Sequence, residues 1–132
     1  MENVFSLDDV PAMGVICYDI RFPEWLRTQA AQGPQVIFVS AEWPTVRLPQ
    51  WRLLLQARAI ENQAVVVAAN RVGSDPDNEF GGQSLVIDPL GQVLASADDH
   101  PQIMTAKLNF AQVQQVRGSM PVFADRRPEL YQ

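Results

Sequence analysis

Three short apolar runs recur in the first half of the chain: residues 13–17 (MGVIC), 35–40 (QVIFVS) and 64–69 (AVVVAA). Their apolar positions are nearly continuous rather than alternating, which is the pattern of strands buried on both faces. Helical periodicity fills the gaps between them. Pro23 suits the first turn of one helix, with Glu24 at its start, and Gly33-Pro34 stops it. Residues 48–63 predict a second helix, with Trp51, Leu54 and Leu55 on one side and Ile60 nearby. Its polar side carries Arg52, Gln56 and Gln63, and Arg58 is spaced to pair with Glu61 as a structural surface pair.

After Asn70 the style changes. Residues 71–82 (RVGSDPDNEFGG) read as a polar loop. Residues 84–88 and 92–96 predict a hairpin around Pro89-Leu90-Gly91. Residues 103–108 predict a further strand, and Asn109 an N-cap for a short helix to about Arg117. Residues 118–132 form an extended tail without periodicity. The order is β-α-β-α-β, then three strands and a closing helix. Parallel crossovers followed by a meander predict an α/β fold with a mixed sheet and two to three helices. No repeat or linker divides residues 1–132, which read as one unit.

Composition narrows the classes. Of 132 residues, 47% are hydrophobic and 19% charged, a balance that argues for a folded protein over disorder. The net charge of −5 offers no basic stripe for nucleic acid or an anionic membrane. No apolar run reaches the roughly 20 residues a membrane span needs. One cysteine makes no internal disulfide and one histidine anchors no zinc site, so a reducing, cytoplasmic setting with no metal or cofactor is expected.

That single cysteine, Cys17, ends an apolar strand just before a helix. In α/β folds this is the carboxyl edge of the sheet, where ligands collect. A reactive thiol needs access, nearby positive charge or free amide groups, and a base. The strand-to-helix turn and Arg21 meet the first two requirements. No base is in view, and position alone leaves an inert structural cysteine equally open.

The surrounding letters decide between them. Residues 14–24 (GVICYDIRFPE) resemble the nucleophile segment of the nitrilase (carbon–nitrogen hydrolase) superfamily. The similarity continues in order through Ala41-Glu42-Trp43-Pro44, Trp51 with residues 57–62 (ARAIEN), residues 70–73 (NRVG), residues 80–84 (FGGQS) and residues 88–91 (DPLG). It runs to about Tyr131, and its flavour is nearest the ω-amidase-like branch. A motif of this length with ordered companions is specific where a lone short motif is not. The resemblance implies hydrolysis of a small amide or nitrile through a cysteine thioester. It implies Cys17 as nucleophile, the Tyr18 backbone N–H as oxyanion donor, and Glu42 and Trp43 at the pocket wall. It also implies an α-β-β-α sandwich of which this chain is the C-terminal half, and homo-oligomerisation.

The family's general-base Glu, its Lys and a supporting Glu lie upstream of the cysteine. Here only Glu2, Asp8 and Asp9 precede Cys17, and the one lysine, Lys107, lies far downstream. None matches the family's motif. The isolated chain is therefore expected to have negligible amidase activity, and its open sheet to pair with a complementary N-terminal half or with itself. The alternative is a non-catalytic α/β module with a structural or redox cysteine, acting through oligomerisation. Several residues also have structural readings. Asp19 and Arg21 are placed to pair across the turn, although Arg21 also suits a substrate carboxylate. Trp43 and Trp51 suit core packing, Asn70 a turn cap and His100 a solvated turn. The resemblance also implies that Phe123 and Tyr131 anchor a dimer interface.

Overall fold

The computed structural model describes residues 3–131, which leaves Glu2 outside. Its centre is three parallel strands, β2 (Val10–Ile16), β3 (Val36–Ala41) and β4 (Val65–Asn70), joined by helices α1 (Pro23–Ala30) and α2 (Leu48–Asn62). These are the three apolar runs and the two helices between them. Antiparallel strands extend the sheet on both sides: β1 (Val4–Leu7) beside β2, then β7 (Leu85–Ile87) and β8 (Val93–Ser96) beyond β4. The result is a six-stranded mixed sheet in the order β1-β2-β3-β4-β7-β8. No described helix is long and apolar enough to cross a membrane.

Strand alternation divides the side chains between two faces. Met13, Val15, Ile37, Val39, Val66, Ala68, Leu85 and Ile87 meet the helices, packing with Leu26, Trp51 and Leu55 in one fully buried core. The opposite face is covered at one end only. There Ala12, Val36, Val65 and Val86 lie under Val113 of α3 (Phe110–Ser119), with Met104, Leu108 and Phe110 alongside. Towards the carboxyl ends of the parallel strands, Ile16, Ser40 and Ala69 on this face are exposed. An open groove of about 740 Å³ runs over them, lined also by Gly14, Phe38 and Val67.

Four expectations need correction. Residues 103–108 form no ladder: the segment packs the partly buried Met104 and Leu108 against the sheet and leaves Ile103 95% exposed. The composition of a segment does not supply a partner edge to pair with. The polar loop 71–82 instead contains a small hairpin, β5 (Val72–Ser74) with β6 (Glu79–Gly81). Gln63 and Arg58, expected on a polar surface, are only 3% and 6% exposed. Gln63 ends α2 in a left-handed conformation (φ 48°), and its Nε2 donates to Met120 O at 2.8 Å. Ile60 is half exposed, but it lies so close to the turn at Gly91 that a Cβ there would meet its side chain at 2.6 Å.

Arg117 ties the helices together at the edge away from the strand carboxyl ends. Its guanidinium donates to Gln63 O (3.1 Å) at the C-cap of α2, and to Gly33 O (3.3 Å) and Pro34 O (2.6 Å) in the turn that follows α1. Burial lowers its pKa from the ordinary arginine value. Arg117→Ala leaves three inward carbonyls without their donor. The expected loss is about 2 kcal/mol of unfolding free energy, seen as a lower denaturant midpoint at unchanged slope.

Candidate active-site cleft

Parallel pairing brings three distant segments to one edge. Ile16 pairs with Ser40, and Ala41 with Asn70, so Cys17, Glu42 and Arg71 leave neighbouring strands side by side. Cys17 opens a 3-10 turn, Cys17–Arg21, with φ at +43°. A left-handed non-glycine residue costs about 1–3 kcal/mol and persists only where its surroundings fix it. Two bonds do so here. The Asp19 carboxylate accepts from Ile16 N at 2.9 Å, and Arg58 Nε donates to Ile20 O at 2.8 Å. Asp19 therefore fixes the turn as expected, but not by pairing with Arg21. Arg21 donates to Gln50 Oε1 at 2.6 Å and lies over the Trp43 ring, 4.7 Å from its centre.

Cys17, Tyr18, Glu42 and Trp43 line one cleft of about 260 Å³, which also takes in Arg21, Arg47, Asp75 and Phe80. Cys17 is half-buried. The Tyr18 side chain is 65% exposed and meets Phe22 edge-on at 5.1 Å. Trp43 is 2% exposed and tilted against Trp51, with its Nε1 donating to Arg47 O at 2.8 Å. It is core and cleft wall at once. Glu42 is largely exposed and paired with Arg71 at 3.1 Å.

Asn70 joins the cleft's walls. Its Oδ1 accepts from Trp43 N (2.6 Å), and its Nδ2 donates to Trp43 O (3.2 Å) and Gly82 O (2.7 Å). The expected turn cap is thus a bridge between the loop after β3 and the β5–β6 hairpin. That hairpin closes on Asp75, whose carboxylate accepts from Asp77 N and Asn78 N. The Asp77 amide, with Asn78 and Arg71, holds Asp75 below the usual carboxylate range. Its contribution to loop order is present above that range and is lost as pH falls through the lowered value. Arg71 lies over Phe80, 4.3 Å from the ring centre, and 3.7 Å from Asp75.

The cleft's charge is uneven. Both acids of its wall, Glu42 and Asp75, face Arg71. Arg21 meets the neutral Gln50, and no described carboxylate lies within ion-pair distance of Arg47. Arg47 and the Arg71 pairing carried no signal in the sequence, because each depends on which loops the sheet brings together. His100 lies apart, exposed between Asp98 and Asp99 at the groove. Lys107 is exposed on the unpaired segment. Phe123 packs under Arg27 of its own chain at 4.9 Å, and the exposed Tyr131 accepts at its hydroxyl from Arg127 N.

The carbon–nitrogen hydrolase family matches residues 2–118. This chain belongs to that family. It is 52% identical over 130 residues to the 2-oxoglutaramate amidase of Bacillus subtilis, covering 98% of this chain and 50% of that protein. The deaminated glutathione amidase of Rattus norvegicus is 40% identical over 118 residues, covering 88% of this chain and 36% of that one. The structure of XC1258 from Xanthomonas campestris, a CN-hydrolase superfamily protein with an arsenic adduct in its active site, superposes with a TM-score of 0.87. The identity is 32%, over 94% of this chain and 49% of that one. The chain thus spans half or less of the length of these relatives. The fold, an α/β mixed sheet with three helices, is that of the superfamily.

Asn70→Ala removes three bonds from a half-buried junction. The expected cost is about 2 kcal/mol, with a shifted Trp43 emission that separates a loosened cleft wall from simple loss of stability.

Proposed function

We propose that this chain carries the nucleophile half of an amidase acting on small amides that bear a carboxylate. The observation that carries the reading is Cys17, held left-handed at the carboxyl edge of the sheet, in one cleft with the uncompensated Arg21 and Arg47. Cys17 Sγ gives up its proton to a base and attacks the amide carbon. The carbonyl oxygen becomes an oxyanion facing the Tyr18 backbone N–H, a donor of a kind typically worth about 3 kcal/mol. Collapse returns the proton to the departing ammonia and leaves a thioester on Sγ, which water hydrolyses to acid and thiol. Arg21 and Arg47 hold the substrate's carboxylate, and Glu42 and Trp43 shape the wall. The names of the relatives, 2-oxoglutaramate amidase above all, support an amide over a nitrile. A cysteine that must remain a thiol fits a reducing, cytoplasmic setting.

The base and the oxyanion lysine belong to a complementary half that covers the open groove beside Ile16, Phe38 and Val67. That groove, and the half-length match to the relatives, support completion by a partner over activity of this chain alone. Homo-oligomerisation is the second way to cover the same apolar face.

The test is a chimaera in which the remaining half of the Bacillus subtilis relative precedes this chain. The expected result is hydrolysis of 2-oxoglutaramate by the chimaera and negligible hydrolysis by the 132-residue chain. Cys17→Ala should cost at least about 10³-fold in kcat. Arg21→Ala and Arg47→Ala should each raise KM for carboxylate-bearing amides about ten-fold, with little effect on a neutral amide. A folded chimaera without turnover, or turnover by the chain alone, would contradict the reading.

A further inference from the structure

We propose that Arg58 is a positioning residue for Cys17, acting through the Ile20 carbonyl; the proposal rests on Cys17 being the nucleophile. A 3-10 turn that continues into a helix satisfies each carbonyl from an N–H three or four residues on. For Ile20 the first of these donors would be residue 23, which is proline and has no N–H. Ile20 is fully buried, so water cannot easily substitute. Arg58 Nε reaches across from α2 and donates to that carbonyl at 2.8 Å. The same proline that starts α1 thus leaves the turn bearing Cys17 dependent on another helix.

The cost of this arrangement argues for its importance. Arg58 is 6% exposed, and burying a guanidinium is unfavourable unless its donors are used. Its Nη1 meets Glu61 at 2.8 Å, but an i,i+3 pair of this kind forms equally well on a helix surface and needs no burial. The bond to Ile20 is the one that requires Arg58 inside. It secures the far end of the turn, while Asp19 secures the near end at Ile16. Between these two fixed points sit the left-handed Cys17 and the first amide groups of the turn, whose placement around Sγ governs how readily the thiol reacts.

The experiment measures the pH–rate profile of Cys17 alkylation by iodoacetamide in the folded 132-residue chain, with circular dichroism as the control for folding. Three substitutions separate the roles. Arg58→Met keeps length and apolar stem but has no donor. Arg58→Lys keeps charge but loses the Nε geometry. Glu61→Gln removes the ion pair and leaves the bond to Ile20. The wild-type chain should alkylate faster than an unstructured thiol. Arg58→Met should slow alkylation at neutral pH about ten-fold, towards the rate of the urea-unfolded chain. Arg58→Lys should fall between, and Glu61→Gln should match wild type. If Arg58→Met does not fold, Arg58→Lys decides by the same slowing. An unchanged profile in the folded Arg58 variants, or the same loss in Glu61→Gln, overturns the positioning role alone. A wild-type chain no faster than the unstructured thiol overturns the nucleophile reading and this proposal with it.

Discussion

Parallel pairing of β2, β3 and β4 obliges the chain to return each time to the same edge of the sheet before starting the next strand. The returns are α1 and α2, and both must cover the same face because successive crossovers share one hand. Two consequences follow from that one constraint. The helix-facing side chains of the sheet find partners within the chain and are buried. The segments leaving the strands at residues 17, 42 and 71 meet at one edge, although they are far apart in sequence. The cleft is a product of the strand register, and its side chains need only be polar enough to line it.

The two faces of the sheet differ in completeness. The helix side has a continuous core from Met13 to Ile87. The other side has a core only where α3 and the segment around Met104 and Leu108 cross it. Ile16 is buried on neither side, and Ile103 is almost wholly in water. Apolar strand residues such as Phe38 and Val67 line the open groove on this side. The Bacillus subtilis relative carries about as much chain again as is present here.

How much of this could be read from the sequence follows from the range of the forces involved. The buried strands and both helices were legible because their signals are local: continuous apolar runs, Pro23, Gly33-Pro34 and Asn109. The N-cap at Asn109 accepts from Ala111 N as its residue type implies. The pairing of β1 and the absence of pairing at 103–108 were not legible, because a ladder depends on where a second strand lies. Of the site, the grouping of Cys17, Tyr18, Glu42 and Trp43 was legible through the motif that contains them. The burial of Arg58 was not. Its spacing to Glu61 fits a surface pair, and only the missing N–H of Pro23, matched with a carbonyl 38 residues earlier, explains why it is inside.

Arg117 bears on the whole molecule when the helices are considered as aligned dipoles. Both α1 and α2 start at the cleft edge and end at the far edge, where the carbonyls of Gly33, Pro34 and Gln63 point at one guanidinium. Arg117 thus sets a positive charge beside the C-terminus of α2, while the N-termini of both helices are directed at the cleft edge. A chain with net charge −5 thus turns a positive end towards Cys17. An incoming anion, repelled by the net charge of the molecule, would meet attraction at this edge, where Arg21 and Arg47 also stand.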